Sequence, residues 1–251
     1  MKEIWVRDKK SSPSSFGRIK LTDLINYPIR INKYLRDKGF ASRREADGLI
    51  SAGSVFINGV VAKTGMLVHE SDKVVLNQPH PQKKIYLAYH KPRGLPTQGL
   101  SGDRSVIEDW RKKGLFPVGR LDKMSEGLLI LTNDGRVTTK ILGTEAQFEK
   151  EYIATVRENL RAGVVAIFKK GMETVSLGKL LPADATLIDP HTIKIVLHEG
   201  KHHQIRVMLG DLGYTITSLK RVRIGHISLG NLERGETRPL SNAESDEFFK
   251  L

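Results

Sequence analysis

The stretch GRLDKMSEGLLILTNDG, residues 119 to 135, sets Arg120, Asp122 and Lys123 directly before the most apolar run of the chain. A carboxylate on a loop that feeds a buried strand is held by rigid scaffold while still facing a cleft, an arrangement suited to catalysis. Ionised, it can attack an electron-poor carbon as a nucleophile or remove a proton as a base. Left unpaired in low dielectric it would take up a proton, whereas a neighbouring guanidinium would keep it charged, so Asp122 needs a cationic partner. Arg206 is one of many candidates. It lies one position off the apolar stripe Ile205, Met208, Leu209 and Leu212 and can reach inward from the edge of the core. A glycosidase-like pair of Asp122 and Glu126 is possible on paper, although nothing else supports it.

The elements that must position these groups are legible nearby. Phe116-Pro117-Val118-Gly119 brings the chain into a turn, GLLILT is a short apolar run of strand length, and Asn133-Asp134-Gly135 closes it with a turn. In HTIKIVLHEGKHHQIRVMLGDLG, residues 191 to 213, Ile193, Ile195 and Leu197 keep strand period; Glu199-Gly200 then turns the chain into a helix ending at Gly213. IYLAYHKPRG predicts a strand of near-period-two pattern followed by a loop forced by Pro92 and Gly94, with Lys91 and Arg93 as phosphate contacts.

A chain of 251 residues with 39% hydrophobic content can bury one large core and one small one. Its 41 Lys and Arg against 28 Asp and Glu, a net charge of +13, create a field that attracts polyanions, of which nucleic acid is the commonest in a cell. The absence of cysteine excludes disulfides, thiolate metal sites and thiol nucleophiles and points to a cytoplasmic protein. No run approaches the roughly 18 apolar residues of a membrane span, and no secretory leader is visible. Adjacent His202 and His203 raise the question of a metal, but neighbours on a chain need a third ligand in an evident pattern; they are assigned to RNA contact or to the surface.

Residues 1 to 28, with the Ser-rich KKSSPSSFG, read as a basic, loosely docked extension. A small domain follows over 29 to 79. There Ile31, Tyr34 and Leu35 give helical spacing ending at Gly39, and Ser42 with Glu45 forms a capping box for a second helix that stops at Gly53. VFINGVVA places Asn58-Gly59 at the tip of a tight hairpin, and DKVVL supplies another strand. Lys33, Arg36, Arg43 and Arg44 lie on or beside the helices, placed to meet successive phosphates. Gln78 to Lys84 resembles a linker, and the large domain occupies the remainder, 80 to 251 with the linker included.

The small segment resembles the S4 RNA-binding domain through R-x-x-K-Y-L, A-S-R-R-E-A and V-x-I-N-G-x-x-A in order. GRLDKMSEGLLILTNDG resembles the central motif of the RsuA-type pseudouridine synthases (RsuA, RluB, RluE and RluF), which act on ribosomal RNA. HKPRG, KEYIATV, EGKHHQIRVML and LERGETRPLSNAE agree with further stretches of that family. The resemblance implies that Asp122 is the essential aspartate, Arg206 its salt-bridge partner and Tyr152 the aromatic against the target uracil, with Arg120 and Lys91 organising the loop and contacting substrate. Four positions depart from the family pattern: His90, Ser125, Val207 and Thr237.

The expected fold is α+β: an S4-like domain, then a mixed, mainly antiparallel sheet flanked by helices with the cleft across it. The expected activity is isomerisation of a uridine in ribosomal RNA, large-subunit RNA first and small-subunit or transfer RNA second, by a monomer without metal or organic cofactor. A noncatalytic RNA-binding assembly factor is the competing reading.

Overall fold

A computed structural model describes residues 26–41, 43–77, 83–99, 104–143 and 148–249. Most of the expected N-terminal extension and of the linker lies outside these residues, as does Ser42 and therefore the capping box expected there. The chain divides into two compact units, a smaller one ending at Lys83, with which Asp134–Arg136 are grouped, and a larger one from Lys84 onward.

In the smaller unit, strand β1 (Ile29–Arg30) leads into helices α1 (Ile31–Asp37) and α2 (Arg43–Ser51). Strands β2 (Val55–Ile57), β3 (Val60–Val61), β4 (Leu67–Val68) and β5 (Val74–Leu76) follow. Ile31, Tyr34 and Leu35 are buried with Ala46, Ile50, Val55, Val68 and Val74 in one core, so the helical period does place one face inward. Both helices end near glycines of positive φ, Gly39 at 73° and Gly53 at 68°. The hairpin between β2 and β3 turns through Asn58 and Gly59, both of positive φ as a tight turn there demands. Asn58 also donates to Asp72 at 2.8 Å and accepts from the Lys73 amide at 2.8 Å, which ties the turn to the approach of β5.

The larger unit is built on one sheet. Its elements are β6 (Tyr86–Lys91), α3 (Val106–Arg111), β7 (Phe116–Val118), β8 (Glu126–Thr132), α4 (Gly135–Leu142), β9 (Lys150–Val156) and α5 (Gly163–Lys170). They continue with β10 (Glu173–Thr174), β11 (Gly178–Lys179), β12 (Asp184–Asp189), β13 (Thr192–Leu197), α6 (Gln204–Asp211), β14 (Ile216–Ile224), β15 (Ile227–Ser228), β16 (Thr237–Pro239) and α7 (Asn242–Asp246). The strand order is β12-β13-β9-β14-β8-β6-β16, with β15 on β14 and β7 on β8, while β10 and β11 form a separate ribbon. Every pairing in the large sheet is antiparallel except β14 with β8, which run parallel. The mixed, mainly antiparallel expectation holds.

Helices α5 and α6 pack Phe168, Ile205, Met208 and Leu209 against Ala154, Ile193 and Ile195 of the sheet, while α4 packs Val137 and Ile141 against Leu128 and Ile130. All seven residues of β8 are buried, as a central strand covered on both faces must be. The turn expected at Asn133-Asp134-Gly135 does end β8, and it leads directly into α4. The Asp134 carboxylate accepts from the Arg136 amide at 3.1 Å, satisfying a donor in the first helical turn. β6 also departs from simple alternation, because Ala88 to Lys91 are all buried between β8 and β16.

One close approach shapes the parallel junction. Gly127 has φ of 112°, and a Cβ built on it would stand 2.2 Å from the Arg221 carbonyl oxygen of β14. Only glycine lets the two strands approach there. Among the described residues no helix is long and apolar enough to cross a membrane.

Candidate active site

The loop before β8 is fixed from two sides. Within it the Ser125 amide donates to the Asp122 carbonyl at 3.0 Å, closing a turn around Lys123 and Met124. From the loop after β6, the Gly94 amide donates to the Lys123 carbonyl at 2.7 Å, and Thr97 Oγ1 both accepts from Leu121 N at 3.0 Å and donates to Leu121 O at 2.7 Å. Asp122 therefore sits on a braced turn, its side chain 29% exposed.

Helix α6 supplies its partners. Arg206 Nε lies 3.5 Å from Asp122 Oδ2, and Arg206 Nη2 donates to Ser125 Oγ at 3.1 Å and to the Met124 carbonyl at 3.3 Å. One guanidinium thus neutralises the carboxylate and clamps its turn. On the other oxygen, His203 Nε2 stands 3.2 Å from Asp122 Oδ1. His203 is the residue before the helix and has φ of 54°, a left-handed conformation that non-glycine residues adopt only occasionally, asparagine, aspartate and histidine more often than the rest.

Asp122, Arg120, Ser125, Tyr152, Lys201 and His203 line one cavity, whose apolar wall includes Leu197 and Leu219. Tyr152 is half-buried on β9, between Ile195 of β13 and Arg221 of β14, so the ring is carried by the middle of the sheet. The cavity lies across the strands and brings an aromatic ring and a carboxylate to one wall.

Beneath this surface lie two buried cations. Lys91 has no exposed surface, and its ammonium donates to the Pro92 carbonyl at 2.9 Å and the Leu95 carbonyl at 2.6 Å. Burial pushes it down to about 8, against the pull of the Asp122 and Glu126 charges, which raise it. Arg221 is 4% exposed and its Nε donates to the Leu128 carbonyl at 2.8 Å. The expectation that Lys91 meets a phosphate is corrected: the side chain is enclosed, and it organises the very loop that braces Asp122. Arg93, on the same loop, is exposed and donates to the Thr217 carbonyl at 2.9 Å.

Glu126 is no second catalytic acid. Burial favours its neutral form, but hydrogen bonds and charge from Arg234, at 2.9 and 3.2 Å, outweigh that and hold the carboxyl below the usual range. A carboxyl so held cannot deliver a proton near neutral pH.

Asp122, Arg206, Tyr152 and Arg120 are thus brought to one place. Lys33, Arg36, Arg43 and Arg44 belong to the smaller unit, where Lys33, Arg43 and Arg44 are exposed and Arg36 pairs with Asp37. Of the four departures, Ser125 lines the cavity and receives Arg206, while His90 is buried with Nδ1 2.7 Å from the Leu232 carbonyl. Val207 is half-buried on α6, and Thr237 sits opposite Tyr89 at the β16 edge of the sheet. Two residues escaped sequence reasoning: His203, set aside with its neighbour, and Arg221, one of many basic residues on an alternating strand.

Comparison with known proteins places the chain in a family. Residues 85–211 match the RNA pseudouridylate synthase family and residues 29–74 match the S4 domain. The chain is 36% identical over 233 residues to the dual-specificity RNA pseudouridine synthase RluF of Escherichia coli K12, covering 89% of this chain and 79% of the relative. It is 32% identical over 228 residues to ribosomal large subunit pseudouridine synthase B of Bacillus subtilis, covering 86% and 93%. A solved structure described as a pseudouridylate synthase superposes with a TM-score of 0.66 at 26% identity, covering 88% of this chain and 99% of the other. The chain belongs to the RNA pseudouridylate synthase family, with an S4 domain ahead of the synthase domain, and is an isomerase acting on RNA.

Proposed function

We propose that this enzyme converts a specific uridine of large-subunit ribosomal RNA to pseudouridine, with Asp122 as the essential carboxylate. The observation that carries the reading is the ion pair of Asp122 with Arg206 at 3.5 Å, at the wall of a cavity shared with Tyr152. Changing an N1 to a C5 glycosidic bond means breaking the first bond, turning the detached uracil in place and rejoining it through C5, whose proton is lost. Asp122 either attacks C1′, to be displaced later by C5, or removes the 2′ proton to give a glycal; both routes need the ionised form.

The atoms involved are out of reach in stacked RNA, so the nucleotide is flipped out at a cost of about a few kcal/mol, which stacking on Tyr152 partly offsets. Arg120 is placed at the cavity wall for contact with the flipped nucleotide or its phosphate. Lys33, Arg43 and Arg44 of the S4 domain give exposed charge for the phosphates of a folded RNA, with Arg36 beside them. The scheme assigns no task to a metal or organic cofactor and needs one copy of the chain. Ribosomal RNA as substrate is favoured because the relatives include a synthase named for the ribosomal large subunit.

The test has two arms. Asp122→Asn should keep RNA affinity and lose all isomerisation, because size is preserved and charge removed; unchanged pseudouridine formation would refute the assignment. Mapping pseudouridines in RNA from cells with and without the gene should show a loss in large-subunit RNA. A loss confined to small-subunit or transfer RNA would move the target there.

A further inference from the structure

His202 and His203 lack a third ligand in the sequence, yet the fold supplies one. The ligand atoms of Asp122, His202 and His203 all lie within 4.8 Å of one another. His203 Nε2 and Asp122 Oδ1 are already 3.2 Å apart, close to the separation of about 3.4 Å between two donors on a tetrahedral zinc ion with bonds of about 2.0–2.1 Å. The two imidazoles are stacked face to face, with ring centroids 3.8 Å apart and planes 22° from parallel, so the exposed His202 ring has to turn about its own side-chain bonds to bring its in-plane lone pair onto an ion shared with His203 and Asp122. Both are exposed, which gives an ion an entry path.

We propose that these three side chains form a binding site for a late transition-metal dication such as Zn²⁺, and that an ion bound there switches the synthase off. Two imidazoles and one carboxylate suit zinc, nickel or copper, whereas magnesium prefers an all-oxygen set. The carboxylate divides its work: Oδ2 faces Arg206 and Oδ1 faces His203, so an ion can take Oδ1 without displacing the guanidinium. Arg206 then holds the ligating carboxylate from behind, as outer-sphere partners of metal ligands do. The same coordination withdraws the lone pair that would attack C1′ or take the 2′ proton, and sets an ion at the cavity wall where the nucleotide must enter.

The inhibitory half of this proposal rests on Asp122 being the essential carboxylate; the binding half does not. Titrating the full chain with ZnCl₂ by calorimetry should show one tight ion per chain. His202→Ala and Asp122→Asn should each weaken it by roughly tenfold or more, and MgCl₂ should give no matching isotherm. Zinc bound equally well by His202→Ala, or no saturable binding at all, would overturn the site. In parallel, the ratio of pseudouridine formation with and without ZnCl₂ is measured for the parent and for His202→Ala. The parent ratio should collapse and recover on chelation, while that of His202→Ala stays higher at the same zinc concentration. A zinc-saturated parent that keeps its full rate would overturn the inhibitory role, and the metal-free assay of Asp122→Asn judges the aspartate reading separately.

Discussion

Arg206 Nε stands 3.5 Å from Asp122 Oδ2 while another nitrogen of the same guanidinium, Nη2, hydrogen-bonds Ser125 Oγ and the Met124 carbonyl. Charge compensation and loop geometry are therefore delivered by one side chain. Arg206→Ala should lower kcat by about 10²-fold or more, because the carboxylate keeps only His203 and its turn loses its clamp. Arg206→Lys should fall between, since an ammonium keeps the charge but loses the planar fork. Single-turnover assays on an RNA fragment decide this; equal rates for the lysine and alanine variants would mean that charge at this position is irrelevant.

Gly127→Ala tests the parallel junction. With a Cβ placed 2.2 Å from the Arg221 carbonyl, β14 and β8 must separate just where the Asp122 loop enters the sheet. The expected cost exceeds about 2 kcal/mol, a drop of roughly 4 to 8 °C in the melting of the synthase unit, with activity falling in parallel. Calorimetry and a pseudouridine assay on the same preparation measure both.

Lys91 makes a pH prediction of definite sign. Burial lowers it from 10.5 to about 8, so between those values the unfolded chain holds more proton than the folded one. The group therefore contributes stability that grows as pH rises through that window and is constant below it. Urea unfolding of the parent at about pH 7 and about pH 10, compared with Lys91→Met, should show a relative gain for the parent of up to about 3 kcal/mol. A flat difference would place the amine in a solvated setting.

The S4 unit should act through phosphate charge. Replacing Lys33, Arg43 and Arg44 together by alanine should weaken binding to a large folded RNA and reduce the slope of log K against log salt by roughly 0.7 to 0.9 for each phosphate no longer neutralised. Turnover on a short fragment should change little. An unaltered salt slope would remove these residues from the interface.

Much of this arrangement could be read from residue types alone. Period-3.6 and period-2 patterns placed α1, α6 and β13, and a continuous apolar run of strand length placed β8, because each buries one stripe or one run against a core. Asn58-Gly59 was legible because few dipeptides accept two consecutive positive φ angles. Asn133-Asp134-Gly135 carries the same signal yet begins a helix, since a short side-chain acceptor serves a turn and a helix start equally. Lys91 looked like surface charge because sequence does not reveal that β6 is enclosed on both edges by β8 and β16. For Asp122 the residue type and its place before a buried strand suggested reactivity, but its pairing with Arg206 rested on family resemblance. The third partner, His203, depends on a left-handed backbone angle that no local pattern announces.

The braced turn also has a bearing on synthesis. Asp122 emerges early, whereas His203 and Arg206 arrive with α6, and β16 joins β6 later still. Until α6 has left the ribosomal tunnel the aspartate has neither partner, and its turn lacks the clamp that Arg206 supplies. Assembly of the braced turn thereby waits for α6, and two fragments divided between β13 and α6 should restore the Asp122–Arg206 pair only when mixed.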